Sequence, residues 1–155
     1  MTAYSALLLV HSWLRWAVLA LAVLVPARAL SRGRARAAWT AGDRRLSVIF
    51  TALLDTQVLV GLGLYFGLSP VTPRSMAAFG AAMKLAPARF FAVEHLFAMI
   101  FALVAAHVGV ASAKRAEQDE AKHRRLAIGV GLALLAILAG IPWPGMPYAR
   151  PLFRF

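Results

Sequence analysis

The chain has 155 residues, 61% of them hydrophobic, with a mean hydropathy of +0.72 and a formal net charge of +11. This is too apolar for a soluble domain of its size and leaves room for about four bilayer crossings of ~20 residues each. The cations fall between apolar runs, where they set topology and meet acidic headgroups instead of nucleic acid, and the absence of Cys excludes disulfides, thiolate metal sites, iron–sulfur clusters and c-type haem attachment.

Apolar segments predict membrane helices at 4–27, 46–68, 89–112 and 124–141. Together they make one membrane domain over 1–155, an all-α integral membrane protein built as a four-transmembrane-helix bundle. The first segment lacks the basic start of a secretion signal and is interrupted by Arg15, so it reads as a retained helix. The connection 28–45 carries six arginines, and 113–123 carries Lys114, Arg115 and Lys122, whereas 69–88 holds only Arg74 and Lys84. The positive-inside rule then puts both basic connections in the cytoplasm and both termini on the extracytoplasmic side of a bacterial inner membrane.

Within the middle connection, RSMAAFGAAMKLAP is bounded by prolines and reads as a short amphipathic surface helix. The tail 142–155 has four prolines and four aromatics, so it is irregular and is expected to cap the outer face, with Trp143 and Tyr148 at headgroup depth. The strings DRRLSVI and HRRLAIG echo one another at the starts of the second and fourth helices. Two hairpins related by an axis along the membrane normal would produce this echo, and so would chance.

The polar residues sort by depth. At ~1.5 Å rise per residue, His11 and His95 both lie ~10 Å below the outer surface, on the first and third helices. Arg15, a helical turn below His11, and Asp55 reach the midplane with Gln57 nearby, and His107 lies ~18 Å beyond His95, near the cytoplasm. A midplane arginine is costly unless paired, so Arg15 is expected to meet Asp55 or Glu94 in a buried polar network of Arg15, Asp55, Glu94 and Gln57. That network serves either as structural glue or as part of proton or electron chemistry. His11 and His95 are either interior histidines bonded to helix carbonyls or the two axial ligands of a b-type haem, for which Ala98, Ala102, Ala106, Gly61 and Gly63 would leave space. Haem propionates would turn outward to Arg89, Arg150 or Arg154. Met99 reads as packing, and Trp13 and Trp16, facing away from His11, as lipid or inter-subunit contacts.

The ordered set HSWLRW, DTQVLVGLGLYF, RFFAVEHLFAM, AAHVG, KHRR and IPWPGMPYARPLFRF resembles a family of small bacterial four-helix membrane proteins labelled "cytochrome b-like", across nearly the whole chain. The resemblance implies haem b and electron transfer, carried here on His11 and His95, with Arg15, Asp55 and Glu94 as further matching polar positions and no metal beyond the haem iron. Some members of that family are expected to carry His where this chain has Asp55, and Asp is a poor haem donor.

The leading expectation is a membrane b-type cytochrome or a haem-bearing subunit of an electron-transfer complex, with the lipid bilayer and other subunits of a respiratory or photosynthetic assembly as partners, and not a stand-alone enzyme. A cofactor-free accessory subunit of an energy-transducing complex is the alternative, and a small proton or metal carrier using Arg15, Asp55, Glu94 and His107 is the third.

Overall fold

A computed structural model describes residues 2–154 except Val71, Arg74 and Ser75; the expected outer charge at Arg74 therefore lies outside the described residues. The described chain folds as α1 (Ala3–Arg34), α2 (Ala41–Leu68), α3 (Met76–Ala82), α4 (Ala86–Lys114) and α5 (Asp119–Gly140), with no strand among the described residues. Of these, α1, α2, α4 and α5 are each long and apolar enough to cross a bilayer, the architecture of a multi-pass membrane protein. They close a ring in which α1 touches α2, α2 touches α4, α4 touches α5 and α5 returns to α1. Large apolar side chains such as Leu59, Phe66, Phe97, Val108 and Leu135 point outward, the surface that hydrocarbon and not water would solvate.

The helices outrun the apolar segments. α1 continues through Pro26 to Arg34, and α2 starts at Ala41, five residues ahead of the apolar run. Apolarity marks where hydrocarbon ends, whereas a helix ends where its backbone groups find other partners. Here Thr40 caps α2 and Asp43 returns a bond to the Thr40 N–H at 2.9 Å, a capping box. The same nearly buried carboxylate takes Arg28 at 2.8 Å and Arg32 at 3.2 Å, fastening α1 to α2. His123, which opens the second echoed string as Asp43 opens the first, is fully buried at this same basic end, with its ring centroid 5.0 Å from that of Trp39.

α4 and α5 approach most closely where Gly109 faces Gly129. A Cβ on Gly109 would lie 2.7 Å from the Gly129 Cα, so only glycine lets these backbones meet. Ala102 and Ala106, expected to make room for a macrocycle, are instead fully buried in the core.

At the end opposite the basic loops, α2 and α4 each contain a π-helical stretch, Leu64–Leu68 and Phe90–Glu94. Their altered ladders leave carbonyls for side-chain hydroxyls: Tyr65 donates to the Ala92 carbonyl at 2.9 Å, and Thr72 to the Tyr65 carbonyl at 2.7 Å. The tail returns along α1. The Trp13 and Trp16 indoles donate to the carbonyls of Arg154 and Leu152 at 2.9 and 3.2 Å, and Phe153 stacks on Trp16 with centroids 5.2 Å apart. These two tryptophans, expected to face lipid or a partner, dock the chain's own tail. Tyr148 stacks on Phe90 at 3.7 Å.

Candidate functional site

The π turns, the upper part of the bundle and the tail enclose one half-open cavity of about 160 Å³. His11 and His95 project into it from α1 and α4, with Arg15, Gln57, Arg150 and Arg154 also in its wall. The two imidazoles share a level, with ring centroids 6.3 Å apart and planes inclined at 70°.

Each ring is oriented by its neighbours. His95 Nδ1 lies 2.7 Å from the Gly140 carbonyl, an atom that only accepts, so Nδ1 carries the proton and Nε2 keeps its lone pair. The Gln57 amide nitrogen lies 3.1 Å from the His11 carbonyl and 3.3 Å from His11 Nε2, giving one hydrogen to each. His11 Nδ1, Gln57 Oε1 and Arg15 Nε are buried and lack a hydrogen-bond partner among the described residues. Gly61 makes the space for His11, because a Cβ there would come within 3.1 Å of its Cε1.

The expected polar network does not assemble. Arg15 donates to the Leu152 carbonyl and meets neither Asp55 nor Glu94. Glu94 pairs with Arg89 at 2.8 Å on the surface. These two residues stand five apart across the Phe90–Glu94 stretch, the spacing that a π turn stacks. Arg89 is thereby removed from the cavity wall, whereas Arg150 stays in it and sets its guanidinium 4.8 Å over the Phe91 ring. Asp55 bonds His107 Nε2 at 2.7 Å on the outer side of the α2–α4 seam, and neither residue lines the cavity. Gln57, expected at the midplane with Arg15 and Asp55, instead bonds His11.

Reading the sequence for depth missed the π turns and the contacts of the tail's carbonyls with Trp13, Arg15 and Trp16 on α1. The one available signal was the concentration of Arg150 and Arg154 in a short aromatic tail behind helices with polar interiors. Arg15, Arg150 and Arg154 line the cavity, and none of them forms an ion pair with a carboxylate among the described residues.

The fold and cavity define a multi-pass helical membrane protein with a basic, histidine-bearing pocket at one end of its bundle. No family model, no curated protein and no solved structure matches the chain.

Proposed function

We propose that this chain is a membrane b-type cytochrome, or the haem-bearing subunit of an electron-transfer complex, in a bacterial inner membrane, with both termini and the cavity on the extracytoplasmic side. The observation that carries the reading is the pair of half-buried imidazoles on α1 and α4, 6.3 Å between centroids, in one cavity with three arginines that have no carboxylate partner among the described residues. Two imidazoles on one cavity are the donor type that bis-imidazole ligation needs. Haem b, when bound, supplies a one-electron iron couple.

The protein's own residues would do the holding. His95 is pre-oriented by the Gly140 carbonyl, which fixes its tautomer and raises the basicity of the free Nε2. His11 keeps its place through Gly61 and Gln57, and ligation through Nε2 requires the Gln57 amide to release that nitrogen. Arg15, Arg150 and Arg154 offer guanidinium donors to an anionic edge such as two propionates. The tail, fastened to α1 through Trp13 and Trp16, would hold Arg150 and Arg154 in the cavity wall.

The test is a reduced-minus-oxidised absorption spectrum of the protein purified from cells supplied with haem. An α-band is expected; His11→Ala and His95→Ala each abolish it and His107→Ala spares it. No band from folded wild-type protein removes the reading.

A further inference from the structure

Asp55 and His107 are absent from the cavity, yet they are the most out-of-place pair in the molecule. Asp55 lies about 20 Å from either end of the 28-residue α2, deep in the apolar zone. Its carboxylate bonds His107 Nε2 at 2.7 Å, but the two side chains remain 42% and 50% exposed, on the outer surface of the bundle. Ionisable groups at that depth normally face a bundle interior or a wet cavity, because hydrocarbon offers them nothing. A half-exposed pair among Leu59, Val104 and Val108 therefore needs a polar cover.

The chemistry of the pair indicates what the cover is. Hydrocarbon favours the form without net charge, in which carboxyl and imidazole hold one shared proton between Oδ1 and Nε2. Wherever that proton sits, the pair is left with one unused donor, His107 Nδ1–H, and one unused acceptor, Asp55 Oδ2. A two-fold axis beside the seam brings the donor of one copy to the acceptor of the other, twice, so the surface is complementary to itself. The backbone of this face permits close approach: Ala52 and Thr56 are small, exposed and four residues apart, and the Thr56 hydroxyl is satisfied internally by the Ala52 carbonyl at 2.8 Å. We infer that the α2–α4 face is a homodimer interface, in which Asp55 and His107 of one copy exchange hydrogen bonds with those of a second copy of this chain.

The chain contains no cysteine, so single cysteines report this geometry without background. Thr56→Cys and, as a control on another exposed face, Leu135→Cys are placed in the full-length protein and oxidised in native membranes. Thr56→Cys should give a disulfide-linked species at twice the chain mass, and Leu135→Cys should not. Adding Asp55→Leu with His107→Leu should lower the cross-linked fraction about tenfold, the loss of two interhelical hydrogen bonds, whereas Asp55→Asn, which keeps donor and acceptor groups, should retain most of it. Helical circular dichroism identifies a folded double variant, and if that variant does not fold, the Thr56 and Leu135 comparison together with Asp55→Asn still decides. Equal cross-linking at the two positions, a linked species of any other mass, or full cross-linking in the folded double leucine variant would overturn the inference. Neither the cross-link nor its loss depends on haem.

Discussion

Two glycines in α5, separated by a single residue, should respond to the same substitution with opposite sign. A Cβ on Gly129 would lie 2.8 Å from the Ala105 carbonyl oxygen and 2.9 Å from the Gly109 nitrogen, and all of these are backbone atoms that no rotamer change can move aside. To restore ordinary contact near 3.5–4 Å, α4 and α5 must separate locally by about 1 Å, which forfeits a quarter to a half of the dispersion energy along the contact. Overpacking of this kind costs about 1–3 kcal/mol. Alanine recovers up to about 1 kcal/mol of helix propensity, less in a detergent-unfolded state that stays partly helical, so Gly129→Ala should be destabilised by about 1–2 kcal/mol. At Gly131 a Cβ meets nothing within 4 Å. Gly131→Ala should therefore be neutral to about 1 kcal/mol more stable. Equilibrium unfolding by sodium dodecyl sulfate in mixed micelles, followed by near-ultraviolet circular dichroism, measures both. If Gly129→Ala proves as stable as Gly131→Ala, the close α4–α5 crossing is wrong, and with it the placement of His95 relative to Gly140.

Other substitutions probe the ends of the bundle and the cavity. Asp43→Ala removes the capping-box return bond and the partner of Arg28 and Arg32 together, and should cost about 2–4 kcal/mol in the same titration; a loss under 0.5 kcal/mol would mean the contacts are not made. Gln57→Leu frees His11 Nε2 and should leave the haem α-band intact or stronger, whereas disappearance of the band would show that ligation runs through another atom. Arg150→Ala with Arg154→Ala should preserve helicity but speed transfer of haem to an apo-myoglobin acceptor about tenfold or more, each charge-assisted bond being worth about 1.5–3 kcal/mol; an unchanged rate would separate these arginines from the ligand.

The membrane class, the four crossings and the common level of His11 and His95 are properties of the sequence by itself. Hydropathy over ~20 residues is a local sum, and depth is a count along one helix at a fixed rise, so neither requires knowledge of a neighbour. Partner choice is different, since it depends on the rotation of each helix and on which helices adjoin. Arg15 was readable as a costly midplane cation, but its acceptor, the Leu152 carbonyl, is 137 residues away on a tail whose route is decided by Trp13, Trp16 and Phe153. Arg89 and Glu94 meet through a π turn that ordinary helical spacing does not anticipate. Asp55 and His107 fell at different counted depths and yet meet, because a count along one helix does not fix the stagger between neighbouring helices. The tertiary structure thus decided which polar groups face the cavity and which face outward, because a side chain's direction is fixed only once helix ends, π turns and packing order are fixed together.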